Sequence, residues 1–216
     1  MTKFLPVFPL NMIVYPGQEV NLHIFEPRYK QLINECKAEG KTFGIPSVFK
    51  NALNEYGTEM ELVKISKEYE DGKLDITVRG VKVFRIMELL RQVPDKLYSA
   101  AIVLEVPHLP LDAEKLNPTL ADLVHKLHTL LGTNFDVYNK FENPLSYDVA
   151  HYVALNTEDQ YRLLMAKSET HRQVFLTQHL MKIIPNIEET EKVRAKVKMN
   201  GHFREESNKF GDDYKF

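Results

Sequence analysis

The chain has 216 residues, of which 44% are hydrophobic and 27% charged, and its formal net charge is -2. That length and balance describe a globular chain able to bury a core without staples, as one large domain or two small subdomains. There is no bulk basic excess of the kind that neutralises many phosphates, and a single cysteine, Cys36, excludes an intrachain disulfide and suits a reducing compartment. The N-terminal residues are apolar, but Pro6, Pro9 and Asn11 interrupt them and no small-residue cleavage site follows, which argues against a signal peptide. No apolar run approaches the roughly 20 residues that span a bilayer. A cytoplasmic protein is the expectation.

The first half reads as strands around one helix. Residues 4–8 and 19–24 are short extended runs, separated by Tyr15-Pro16-Gly17, a turn in which Pro fixes φ and Gly accepts a positive φ. Glu26-Pro27 opens a helix whose Tyr29, Leu32, Ile33 and Cys36 share one face, and Gly40 stops it. Residues 43–49 return to strand, and Met60, Leu62, Val63, Ile65 and Tyr69 supply another extended run. Asp71-Gly72 before residues 74–78 predicts a type I′ hairpin turn. Arg79-Gly80 marks a break, read as a bulge or bend, before strands at 81–90 and 98–106. Strand after strand predicts a curled mixed sheet or partly open barrel.

The second half changes period. Asn117-Pro118 reads as an N-cap with Pro in the first turn, followed by Leu120, Leu123, Val124, Leu127, Leu130 and Leu131 at helical spacing and closed by Gly132. A shorter apolar helix is predicted over residues 144–155. Thr157 and Gln160 form a capping box for the next helix. Ser168 caps a last helix bearing Val174, Phe175, Leu180, Ile183 and Ile184, with a stop at Pro185. The division predicted is a β subdomain over 1–110, a helical subdomain over 111–185 joined to it through residues 106–112, and a charged, partly disordered tail over 186–216.

Catalytic chemistry finds little support. Gly40-Lys41-Thr42 imitates the end of a phosphate-binding loop, but Glu35 stands where that loop needs a glycine, and a helix precedes it rather than follows. His125 and His128 flank the leucine stripe, and with one cysteine no zinc-type ligand set is spaced correctly, so neither a metal nor a cofactor is expected. Cys36 lies on an apolar face and reads as a buried, inert thiol. No Gly-x-Ser-x-Gly elbow occurs.

One set of segments is specific. Leu5-Pro6-Val7-Phe8-Pro9-Leu10, Tyr15-Pro16-Gly17 and Leu22-His23-Ile24-Phe25-Glu26-Pro27-Arg28-Tyr29 come first. Phe43-Gly44-Ile45, Tyr56-Gly57-Thr58, Asp71-Gly72, Gly80 and Phe84-Arg85-Ile86 follow in order. Together they resemble the N-terminal domain of Lon-type ATP-dependent proteases over about residues 3–185, the helical half more loosely through Leu155, Gln160, Leu163, Leu164, Arg172, Leu176 and Leu180. The resemblance implies an α+β fold, a PUA-like β subdomain followed by a helical bundle. In the full proteases this region binds or positions protein substrates and helps the ring assemble, ahead of an AAA+ motor and a Ser-Lys protease domain. The chain here ends before either could begin, so the expectation is a free-standing, non-catalytic form. Most of the matched residues read as packing and turn devices, with Phe25 in the core, Glu26 capping the helix and Arg28 paired with a carboxylate.

The expected function is binding of protein or peptide, with an exposed sheet edge or apolar groove taking unfolded or regulated proteins. Candidate contacts are Pro46, Phe49 and Tyr56, in and beside residues 50–57, which read as a solvent-facing loop with apolar flanks. One alternative is RNA binding, since PUA-like folds often bind RNA. Lys192, Arg194, Lys196, Lys198 and Arg204 would serve it, but interleaved Glu188, Glu189, Glu191, Glu205 and Glu206 make a nucleic-acid partner unfavoured. Another is an adaptor for a full-length Lon protease. No membrane partner is expected.

Overall fold

The computed structural model describes residues 2–107 and 113–209, with side chains as far as residue 194 and that of 196. Six strands come first: β1 (Thr2–Val7), β2 (Glu19–Ile24), β3 (Phe43–Phe49), β4 (Ala52–Glu68), β5 (Leu74–Leu90) and β6 (Ser99–Glu105), with α1 (Pro27–Glu39) between β2 and β3. Helices follow: α2 (Pro118–Leu130), α3 (Val137–Lys140), α4 (Ser146–Val149) running into a 3-10 turn at Ala150–Tyr152, α5 (Thr157–Met165) and α6 (Glu169–Lys209). Of the joint expected at 106–112, residues 108–112 lie outside the described residues.

The strands form one mixed sheet in the order β2-β5-β4-β3-β1-β6, and β6 pairs with β5 as well. This second pairing joins β1, β6, β5, β4 and β3 into a ring. β5 makes it possible by changing partners along its length: residues 74–79 pair with β2, residues 84–90 with β6. The change falls at Gly80. A Cβ there would lie 2.3 Å from the Tyr15 carbonyl oxygen, and Gly80 exchanges backbone bonds with residues 17 and 18, so the chain needs a glycine to let the Tyr15 turn approach. The expected irregularity at Gly80 is a register shift against Glu59 and Met60 of β4, and β5 runs through it as one strand.

The ring is thinnest between β1 and β3. This parallel pair has a single register pair, Val7–Gly44, continued by an isolated bridge between Leu10 and Ser47. Phe8 donates to Gly44 O at 2.8 Å and Leu10 to Pro46 O at 3.3 Å. Pro46 sits between these positions with no N–H to return across the seam.

Two turns differ from their sequence reading, and they trade roles. At residues 69–73, Gly72 N–H donates to Tyr69 O and Tyr69 N–H to Lys73 O, with Gly72 at φ 74 and Asp71 outside the left-handed region. That is a three-residue type I loop ending in a left-handed glycine, not a type I′ turn. The type I′ turn is at Lys50-Asn51, with φ values of 52 and 57 and Phe49 paired to Ala52 across it. Residues 52–57, expected in a loop, therefore begin β4.

Burial divides into three clusters. Leu5, Val7, Phe84, Ala101 and Val103 fill the ring. Phe8, Ile24, Tyr29, Leu32, Ile33 and Cys36 pack α1 against the sheet. The largest joins Ile13, Tyr15, Val83 and Val106 of the β region to α2, α5 and α6, so sheet and helices share a core. Among the helices a buried Glu169–Arg172 pair at 2.9 Å is completed by Ser146 and Gln173, and the Arg172 guanidinium stacks 4.4 Å over Tyr147, which stacks on Tyr15 at 4.9 Å. Every charge there has hydrogen-bonded company, as burial demands.

Further expectations change. Phe25 is 58% exposed rather than core, and stacks on His23. Glu26 makes no side-chain cap and instead pairs with Arg28 at 2.7 Å. The cap of α5 is Asn156, whose Oδ1 accepts from Asp159 N–H, one residue before the predicted Thr157. The helix does not stop at Pro185: α6 continues through it to Lys209, so residues 200–209 are helical and 210–216 lie outside the described residues. Beyond Pro185, Ile187 packs on the shared core and Glu188 pairs with Lys126 of α2 at 2.8 Å, giving the helix tertiary support past its missing hydrogen bond.

Candidate functional site

Strand direction decides where the thin seam opens. The N–H and C=O of one strand residue point to the same side, and sides alternate with period two. Phe8 and Leu10 donate toward β3, so Pro6 and Phe4 turn their backbone polar groups the same way, and Lys3, Leu5 and Val7 turn theirs toward β6. Pro6 fits this geometry because its missing N–H faces the seam and no ladder bond to β6 is lost. On the N-terminal side of Val7–Gly44 the two strands part, and no residue of β3 registers with Phe4 among the described residues.

A slot of about 450 Å3 occupies the gap. Residues 3–6 of β1 form one wall. The end of α1 and residues 40–42 form the other, and Val93, Lys96 and Tyr98 close it. Gly40 makes this wall possible: in the left-handed region at φ 63 it caps α1 and turns the chain into β3. Phe4, 49% exposed, offers its ring at the rim. The slot thus combines apolar side chains with a donor and an acceptor of an open strand edge.

Its charges are paired in place. Glu35 accepts from Tyr98 Oη at 2.5 Å and pairs with Lys96 at 2.9 Å. The Tyr98 hydrogen bond, with help from Lys96, holds the Glu35 carboxyl below the ordinary carboxylate range. Burial, and after it Glu35, push the Tyr98 phenol up. Lys3 pairs with Glu59 at 2.6 Å and Lys41 with Glu39. Cys36 lines the same slot, but burial, followed by Glu35 and Glu39, pushes its thiol up to about 11, which keeps it protonated and unreactive. Residues 40–42, which imitate a phosphate loop, serve as helix stop and slot wall. Among the described residues no group of His, Cys, Asp and Glu is placed to hold a metal ion. No helix among them is long and apolar enough to cross a membrane.

The residues singled out in the sequence lie elsewhere. Pro46 is buried in β3. Phe49 and Tyr56 are half-buried where β4 meets α5: their rings meet Tyr161 edge-on at 5.0 and 6.2 Å, and Tyr56 N–H donates to Tyr161 Oη at 3.0 Å. The structure brings Phe49 and Tyr56 together as part of the joint between sheet and helices. Sequence reasoning misses the slot, although proline within the β1 pattern is the sequence mark of a free strand edge.

Comparison with known proteins gives the same answer for fold and family. A model of the ATP-dependent protease La (LON) substrate-binding domain matches residues 4–182. The Lon protease of Flavobacterium johnsoniae is 28% identical over 111 residues, which are 47% of this chain and 13% of that protease, so the chain spans a small part of that relative. A Lon N-terminal domain protein from Xanthomonas campestris superposes with a TM-score of 0.60 at 25% identity, covering 79% of this chain and 94% of that one. The N-terminal domain of Lon protease from the Mycobacterium avium complex gives 0.62 at 19% identity over 83% and 98%. The chain belongs to the ATP-dependent protease La (LON) substrate-binding domain family.

Proposed function

We propose that this chain is a non-catalytic recognition module that takes an extended, apolar stretch of another protein into the slot beside β1. The observation that carries the reading is the open edge at Phe4: an unpaired strand backbone facing a concave gap with apolar side chains in its lining, inside a substrate-binding family fold. Strand addition supplies affinity through main-chain bonds that tolerate many sequences, and Phe4 with Leu32 and Cys36 supplies preference for apolar side chains. Lys3, Lys96, Glu35 and Glu39 are already neutralised, so the slot has no single-sign field to select for strongly charged ligands.

This reading moves the contact surface away from Pro46, Phe49 and Tyr56. An array of extended peptides of graded hydrophobicity, photo-crosslinked to the purified protein, tests it. Apolar peptides should label residues 3–6 or 40–42. No enrichment for any apolar peptide, or labelling confined to α2–α6, overturns it.

A further inference from the structure

Away from the slot, the helical half builds an aromatic pocket around a cation. Phe135 stacks on Tyr152 at 4.3 Å and meets His128 at 4.5 Å, while Phe141 meets Tyr152 edge-on at 6.0 Å. The Lys140 ammonium lies beside these rings, 5.1 Å from the centroid of Tyr152, 5.9 Å from Phe141 and 6.0 Å from Phe135. Among the described residues seven lysines pair with carboxylates, namely Lys3, Lys41, Lys50, Lys73, Lys82, Lys96 and Lys126. Lys140 has no such ion pair among the described residues, and its ammonium sits among these rings instead.

The rings are organised by other means than Lys140. His128, on α2, is fixed through Nε2 to the Tyr152 carbonyl at 2.9 Å and through Nδ1 to Thr133 at 2.8 Å. Phe135 and Phe141 are half-buried against the shared core. Lys140 is the exposed last residue of α3, on a long flexible stem. The platform is therefore preformed, and its occupant is free to leave.

We propose that Phe135, Phe141 and Tyr152 form a binding site for an alkylammonium side chain, a lysine or methylated lysine of a partner protein, with Lys140 holding the place until the partner arrives. Ring faces attract cations through their quadrupole, and they favour the weakly hydrated quaternary form over a strongly hydrated primary ammonium. The chain's own ammonium on these rings shows which chemistry they accept. A partner's lysine must displace Lys140, so affinity is set by competition within the chain.

The test uses the whole protein and small probes, so its outcome is independent of strand addition in the slot. Choline and its neutral isostere 3,3-dimethylbutanol are titrated into wild type, Lys140→Ala and Tyr152→Leu, following aromatic 1H–13C NMR signals. Choline should shift Phe135 and Tyr152 signals in Lys140→Ala about five-fold more tightly than in wild type, a gain on the scale of one exposed cation–ring contact. Binding should be lost in Tyr152→Leu, whose fold is checked by the remaining methyl signals. If Tyr152→Leu does not fold, Phe141→Leu takes its place. A peptide bearing trimethyl-lysine should bind Lys140→Ala more tightly than free trimethyl-lysine if a polypeptide is the natural source, and equally if it is not. Equal shifts from choline and the neutral isostere, no gain on removing Lys140, or no advantage of the peptide overturns the proposal.

Discussion

The Lys3 ammonium on β1 donates to Glu59 Oε2 on β4 at 2.6 Å, across the seam where β1 and β3 scarcely pair. Glu59 is 5% exposed, and its other oxygen accepts from Thr42 Oγ1 at 2.6 Å. One buried carboxylate thus ties both walls of the slot together where a strand ladder would otherwise do so. Lys3→Met leaves that carboxylate with Thr42 alone and should cost roughly 1–3 kcal/mol, below a fully buried pair because Lys3 keeps partial contact with water. Glu59→Gln retains hydrogen bonding to Thr42 and should cost less. Urea unfolding measures both. Hydrogen exchange in Lys3→Met should quicken at Leu5 and Val7 and stay unchanged in α2, and uniform change would refute the local role.

Gly44 and Gly57 flank the Phe84 ring for different reasons, and a double-mutant cycle separates them. A Cβ on Gly44 would meet side chains, Phe84 Cε1 at 2.8 Å and Leu5 Cδ2 at 2.9 Å. A Cβ on Gly57 would meet backbone first, Ile45 O at 2.4 Å. Both alanine variants should destabilise by about 1–3 kcal/mol, as overpacking does. Phe84→Leu should recover part of the loss for Gly44→Ala, because a smaller side chain can yield. It should recover little for Gly57→Ala, because the Ile45 carbonyl cannot. Equal rescue of both would show that the clash at Gly57 lies with the ring.

The fold was legible wherever hydrophobic period and turn chemistry agreed. The face of Tyr29, Leu32, Ile33 and Cys36, the Asn117 cap and the strand sequence all follow from local rules. Three features had no such signal. The type I′ turn at Lys50-Asn51 lacks the usual glycine, so the start of β4 looked like a loop. The stop at Pro185 is overridden by Ile187 and Glu188, whose partners lie in other elements. Phe25 is exposed because Pro27 starts α1 just after it, turning the chain before the apolar run can bury. The slot depends on which way β1 turns its N–H groups relative to β3, a long-range pairing that periodicity cannot assign. Pro6 and Pro46 are local marks of it.

Tyr98 and Glu35 should give the slot a pH-dependent stability. The Tyr98 hydrogen bond is the largest influence depressing Glu35, so folding favours the carboxylate. A depressed carboxyl contributes stability that is present above its unfolded pKa, near the ordinary value of about 4.3, and is lost as pH falls through the lower folded value. Tyr98→Phe should therefore be less stable than wild type at pH 7, and the gap should narrow below about pH 4. Thermal unfolding of both proteins from pH 7 to pH 3 measures the gap. A gap that stays constant with pH would show that the phenol acts through packing alone.

Phe4 offers a direct test of strand addition, because its side chain and its N–H can be removed separately. The N–H points toward the slot and away from β6, as the Phe8-to-Gly44 bond and the two-residue period require. Phe4→Ala removes the exposed ring and keeps the donor. Phe4→Pro removes ring and donor together without removing a bond to β6, and Pro6, two residues on, shows that β1 accepts proline with this orientation. Against an apolar peptide selected by crosslinking, Phe4→Pro should bind more weakly than Phe4→Ala by roughly 2- to 12-fold, the range of one net hydrogen bond. Fluorescence anisotropy gives the affinities, and exchange protection at Leu5 and Val7 verifies that β1 still pairs with β6. If both variants bind equally with β1 intact, the peptide does not use the Phe4 N–H, and strand addition at that donor is refuted.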